Sequence, residues 1–393
     1  MKHIIGANAA TPIASAPAGP GAAVQWLTVD ENGSDQRLDN YLMRQLKGVP
    51  KTHIYRIIRS GEVRVNKGRA SADTRVQVGD VLRLPPVRVS ERAADKAQAM
   101  TEGASKHVPA KNFAVLFEDA HLLAIDKPAG VAVHGGSGVS FGVIEQLRMA
   151  RPQAPFLELV HRLDRETSGI LLVAKKRSAL KHLQAQFRDR ETGKTYLAVA
   201  LGQWPSNKKV LDKPLHKYLL DTDGGKGEGE RRVKVVSKDD PDGMPSLTLV
   251  KVNSTTAQGA AQPYSLLEVT IKTGRTHQIR VHLASEGMPI VGDDKYGDFE
   301  RNKALARATG AHSLKRMFLH AWRLQCDHPA TGQRMELHAA LPPELATFLQ
   351  DVLPAARVGS HAPVAIMDNV SDSSNSGASS PSPSPSISAH EPN

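Results

Sequence analysis

The sequence predicts an α+β protein: a large domain on a mostly antiparallel mixed sheet, preceded by a small helix–helix–hairpin module. Three observations carry this. Strand-like and helix-like periods are mixed along residues 113–353 without the regular alternation that builds a parallel sheet. A weakly patterned stretch at 89–112 reads as a linker and isolates residues 28–88 as a unit of their own. The two ends, 1–27 and 354–393, are rich in Ala, Gly and Pro or in Ser and Pro, and read as a flexible arm and a disordered tail.

In the small module, RLDNYLMRQL sets Leu38, Tyr41, Leu42 and Leu46 at helical spacing. KTHIYRIIRSGEV gives a second helix with Ile54, Ile57 and Ile58 inward, closed by Ser60-Gly61. VRVNKGR turns through Asn66-Lys67-Gly68, and VQVGDVLRLP is a strand carrying a turn at Gly79-Asp80. Asp39 lies at a helix start, where a carboxylate favours the positive end of the helix dipole.

Charge is concentrated here. The chain has 393 residues and 51 Lys+Arg against 40 Asp+Glu, a formal net charge of +11. From Arg37 to Arg83 there are eleven basic residues and four acidic ones, so most of the excess sits in this module. Neutralising phosphates takes several cations on one small surface, which a merely solvated face does not need. RLDNYL, IYRIIRSGEVRVN and VQVGDVLRLP together resemble the S4 RNA-binding module. The resemblance implies RNA contacts from Arg37, Lys51, Arg56, Arg59, Arg64 and Lys67.

In the large domain, VLFEDAHLLAIDKPAG alternates and then turns at Asp126–Gly130. VAVHGGSGVSFGVIEQLRMAR reads as strand, Gly-rich loop and helix, and FLELV leads into the polar turn HRLDRETSG. GILLVAKK is a continuous apolar strand that must be buried, and SALKHLQAQFRDR is an amphipathic helix. KTYLAVALGQW and YSLLEVTIKTG are strands, and RTHQIRVHLASEG is a helix opened by Thr276. DTDGGKGEGE (221–230) and residues 253–263 read as surface loops.

Composition excludes several chemistries. The sole cysteine, Cys326, allows neither an intrachain disulfide framework nor a cysteine zinc cluster. No run of about 18 apolar residues is present. The N-terminus lacks a signal-peptide core, so a soluble, cytoplasmic protein is expected. GVSFG fits a nucleophile-elbow pattern, but its His134-Gly135-Gly136 neighbour is nearly contiguous, and Ser140 is set aside as a nucleophile. His277 and His282 stand five apart with no Glu in the zincin position, which speaks against a metal there. Asp126 beside its Lys-Pro turn and His320 in FLHAW read as structural.

The tripeptide Arg-Leu-Asp occurs twice, at 37–39 and 162–164. Asp164 stands in a polar turn just before a buried strand, where either an exposed rigid carboxylate or a turn cap fits. The surroundings decide. HRLDRETSG, then KTYLAV about thirty residues on, then TGRTHQIRVHL, is similar to the pseudouridine synthases that act on large-subunit rRNA. IDKPAGVAVHGGSG, VGDDKYGD and RMFLHAWRL extend the likeness over nearly all of residues 28–353.

That resemblance implies Asp164 as nucleophile, Tyr196 against the target base and Arg280 paired with the catalytic carboxylate. Arg162 would help extrude the nucleotide, and Arg165, Arg275 and His277 would contact RNA. It implies 23S rRNA, or a large-subunit assembly intermediate, as substrate, and a monomeric enzyme. The isomerisation it implies is neither oxidation nor hydrolysis, so no cofactor and no metal are expected. Two rivals stand beside it. One is a non-catalytic RNA-binding protein. The other is a nucleoside glycosidase, which needs a second carboxylate, and only Glu166 is near.

Overall fold

The computed structural model describes residues 24–46, 49–87, 109–135, 141–220, 230–359, 362 and 364–367. The N-terminal module comprises β1 (Gln25–Thr28), β2 (Gln36–Arg37), α1 (Leu38–Gln45), α2 (Lys51–Arg59), β3 (Arg64–Val65), β4 (Gly68–Arg69), β5 (Arg75–Val76) and β6 (Val81–Leu84). Leu38, Tyr41, Leu42, Ile54, Ile57 and Ile58 form its core as their spacing requires, while Leu46 packs at the margin. Asn66 and Lys67 both adopt positive φ (49° and 69°), the geometry of a tight two-residue hairpin turn between β3 and β4. One boundary differs from expectation. Gln25–Leu27, read as part of a flexible arm, join Thr28 in pairing antiparallel with Val81–Leu84, a long-range partner that local composition does not reveal.

The large domain continues with β7 (Ala114–Glu118), β8 (Leu122–Lys127), α3 (Val143–Ala150), β9 (Glu158–Leu159), β10 (Ser168–Ala174), α4 (Arg177–Asp189) and β11 (Gly193–Leu201). Then come β12 (Val210–Asp212), β13 (Leu215–Leu220), β14 (Glu230–Val235), β15 (Leu247–Thr255), β16 (Tyr264–Ile271), α5 (Gln278–Ser285) and α6 (Phe299–Arg307). The last elements are β17 (Leu319–Asp327), β18 (Arg334–His338), α7 (Pro343–Val352) and β19 (Val364–Met367). Lys181 of α4 bonds Asp35 (2.7 Å), and Arg177 donates to the Ser34 carbonyl (2.6 Å), linking the domain to the module.

The main sheet runs β12-β15-β16-β11-β17-β10-β8-β7. Its pairings are antiparallel except one: β10 and β17 run parallel through Ser168↔His320 and Gly169↔Ala321. On the other side of β17, Tyr196 lies opposite Ala321, just after a bulge. Gly169 is required at this junction. Its φ is +108°, and an added Cβ would lie 2.2 Å from the Ala321 carbonyl oxygen. The junction therefore sets Tyr196 one strand away from the polar turn that precedes Ser168.

Three other readings change. VAVH forms no strand, because the carbonyls of Ala132 and Val133 accept from Val143 N and Ile144 N at the start of α3. Residues 253–255, read as loop, extend β15. The tail read as disordered from 354 contains β19, which pairs with β18. Residues 136–140, with Ser140, and 221–229 lie outside the described residues.

Candidate active site

The Arg162–Thr167 turn is held from beneath. Lys127, wholly buried, donates from Nζ to the carbonyls of Pro128 (2.8 Å), Val131 (2.8 Å) and Arg165 (3.1 Å). Burial pushes its ammonium down to about 7, against the pull of Glu166. Gly130 N bonds the same Arg165 carbonyl, so the IDKPAG turn braces the HRLDRETSG turn. At the exit, Ser168 Oγ takes a hydrogen bond from Arg316 (2.7 Å) and lies 2.9 Å from His320 Nδ1. His320 Nε2 faces the Ala339 carbonyl, so Nε2 carries the proton and Nδ1 accepts from Ser168. Burial pushes this imidazole down to about 4, consistent with the neutral core role read for it.

Leu163 anchors the turn in the core, and Asp164 beside it keeps 29% of its side chain exposed. Arg280 Nη1 lies 3.7 Å and His277 Nε2 4.0 Å from Asp164 Oδ2. No side-chain hydrogen bond reaches the Asp164 carboxylate among the described residues. The expected Arg280–Asp164 proximity is present, but Arg280 has a stronger partner that sequence reading missed. Its Nε and Nη2 grip Asp293 (2.7 and 2.6 Å), and Nη2 also meets Asp294 (3.0 Å). Burial disfavours the guanidinium charge, yet the Asp293 hydrogen bonds and the surrounding carboxylates raise its pKa. Asp293 is fixed in turn by Lys295 N and Tyr296 N. The signal was the VGDDKYGD segment, noted as part of the likeness without a role for its aspartates.

Helix α5 starts at Gln278, later than the Thr276 opening expected. His277 occupies its N-cap with a left-handed backbone (φ 52°), which cuts the helix short. Tyr296 Oη accepts from Val233 N and lies 2.8 Å from His277 Nδ1. Donating its own proton to Nδ1 leaves the His277 Nε2–H directed at Asp164. Burial lowers the imidazole pKa, with Asp164 opposing. Tyr196 packs half-buried between two core clusters, and burial, then Asp164, raises its phenol above the ordinary range.

Three depressions meet at Arg162–Asp164. An inner one of about 90 Å³ is lined by Tyr196, Thr167, Ile271, Ile279 and Leu319. An outer cleft of about 410 Å³ runs past His134, Arg165, His277, Arg280 and Lys295. Another arm of about 250 Å³ lies towards β13. Arg162 is exposed and borders all three. Arg275 borders the inner depression and the arm, with Nε on the Pro245 carbonyl (3.2 Å). Arg165 points outward onto Glu166 (2.7 Å). On the module, Lys51, Arg56, Arg59 and Lys67 are exposed and Arg64 half-buried. Arg37 is exposed too, with Nε and Nη2 bound to Asp39.

This geometry, a rigid carboxylate among arginines above a half-buried tyrosine, suits a base turned out of an RNA strand. Comparison with known proteins gives the family. The family profile described as RNA pseudouridylate synthase matches residues 121–285, and that of the S4 domain matches residues 36–82. The chain belongs to the RNA pseudouridylate synthase family. "Ribosomal large subunit pseudouridine synthase C" of Pasteurella multocida (strain Pm70) is 48% identical over 83% of this chain and 93% of that protein. The protein of that name from Escherichia coli (strain K12) is 48% identical over 84% and 97%. The one from Vibrio vulnificus (strain CMCP6) is 45% identical over 84% and 96%.

Proposed function

We propose that this enzyme converts uridines of 23S rRNA, free or in an assembling large subunit, to pseudouridine with Asp164 as the catalytic carboxylate. The observation that carries the reading is the state of that carboxylate: rigidly placed, partly exposed, flanked by Arg280 and His277, and unoccupied by hydrogen bonds among the described residues. The RNA lies across the basic module and the cleft, and the target uridine leaves its stack while Arg162 takes the vacated space. The uracil ring rests on Tyr196, with Asp164 facing the sugar.

The N1–C1′ bond then breaks, with Asp164 countering positive charge at C1′ as glycosidase carboxylates do. The detached uracil turns, C5 bonds C1′, the C5 proton leaves, and N1 takes up a proton, restoring the ring with no net loss or gain. Atoms balance without water or electron transfer, so the reaction calls for no redox cofactor and no metal. No described helix is long and apolar enough to cross a membrane. We read the enzyme as a cytoplasmic monomer.

The test compares wild-type and Asp164→Ala protein on rRNA from a strain lacking the enzyme, with pseudouridine mapped chemically. Loss of the modification is expected. Pseudouridine formed by the variant would remove Asp164 from the chemistry, and free uracil released by wild type would mark a glycosidase.

A further inference from the structure

The arm towards β13 enters the reading above only through its floor and Arg275. Its floor is the Arg162–Asp164 turn, and its walls are Lys217, Met244, Gly274 and Arg275. The β13–β14 hairpin that supplies Lys217 is fastened to the catalytic region. Leu215 and Val233 pack on Val281 of α5, and Val233 N donates to Tyr296 Oη, the hydroxyl that also holds His277. Met244 is set beside the hairpin by reciprocal backbone bonds with Leu215 (2.9 and 3.0 Å). The wall is therefore tied to the same elements that hold His277.

What this wall presents is unusual for a solvent-facing surface. Lys217 is exposed, and its side chain makes no ion pair or hydrogen bond among the described residues. Met244 leaves 36% of its surface open. Arg275 uses Nε on the Pro245 carbonyl, and no partner is seen among the described residues for its terminal nitrogens. Three cations and one apolar face thus share a recess with a single acid, Asp164. A nucleotide of single-stranded RNA has the complementary make-up, one phosphate and one flat ring.

We propose that this arm is the subsite for the nucleotide adjoining the target uridine, with Lys217 and Arg275 on its phosphate and Met244 against its base. The proposal rests on the reading of Asp164 as the reacting centre, since the arm and the inner depression share that turn. It makes Lys217 a positioning residue that sets which strand segment is held.

The experiment uses the full chain and a 23S rRNA transcript labelled with tritium at uridine C5, reading tritium release. For Lys217→Ala, KM should rise about three- to tenfold with kcat unchanged, and the salt slope of binding should fall by about 0.7–0.9. Lys217→Arg should restore both. Met244→Ala should raise KM about threefold and leave the salt slope intact. Unchanged KM in either alanine variant overturns the subsite, and so does a Lys217→Ala effect confined to kcat. Asp164→Ala keeps the two readings apart: inactive Asp164→Ala with silent Lys217→Ala sinks only the subsite. Active Asp164→Ala sinks the catalytic assignment.

Discussion

The two Arg-Leu-Asp tripeptides show how one local sequence gives two kinds of carboxylate. In both, the leucine is core: Leu38 and Leu163 are buried. Asp39, 2% exposed, is saturated, receiving Arg37 Nε and Nη2, Tyr55 Oη (3.0 Å) and Asn40 N (2.7 Å). Its Arg37 hydrogen bonds lower its pKa. Among the described residues Asp164 has charged neighbours but no such bonds, and its arginine, Arg162, is exposed to the cleft. A nucleophile needs open lone pairs and a fixed position. The first copy uses its oxygens to hold a helix start, and the second is positioned by bonds made elsewhere, at Lys127 and the Gly169 junction.

The largest test of this contrast is catalytic. Asp164→Asn should lower pseudouridine formation by about 10⁴-fold or more with an unchanged unfolding midpoint. Arg280→Met should cost about 3–5 kcal/mol in urea unfolding, because it strands the fully buried Asp293. Replacing both Arg280 and Asp293 with apolar residues should recover stability without activity. Asp39→Ala should cost the module about 1–3 kcal/mol, leaving kcat per folded molecule unchanged. A fall in its kcat would erase the distinction between the two copies.

Alanine at Lys51, Arg59 and Lys67 together should raise KM and reduce the salt slope by about 2–3, sparing kcat. The smallest effect concerns a third carboxylate. Burial pushes Asp126 up to about 6, opposed by Arg316 and Lys127 and supported by Glu344. The folded state then holds more protons than the unfolded one between about pH 4 and 6, so stability falls as pH rises through that window. Asp126→Asn should remove this slope from Tm against pH.

Wherever patterning and local turns govern, the sequence was legible. The buried strand Ser168–Ala174, the helix over 177–189 and the hairpin turn at Asn66-Lys67 follow from period and turn chemistry. Asp164, Tyr196, Arg275, His277 and Arg280 were located by family likeness, and the fold does gather them. What stayed hidden depends on distant partners. Gln25–Thr28 and Val364–Met367 become strands because β6 and β18 offer them edges. Asp293 lies thirteen positions from Arg280, beyond any helical spacing. Lys217 and Met244 reach the cleft only through hairpin packing on α5, which no local period encodes.

The Ser168–His320 contact joins residues 152 positions apart, so the parallel junction beneath Asp164 has a consequence in time. During synthesis the Arg162–Thr167 turn emerges early, but the strand that completes its frame emerges much later. A nascent chain therefore carries Asp164, the proposed catalytic carboxylate, without its full frame until residues beyond Ala321 have left the ribosome. On the proposed reading, the frame of the site is complete only after most of the chain has been made.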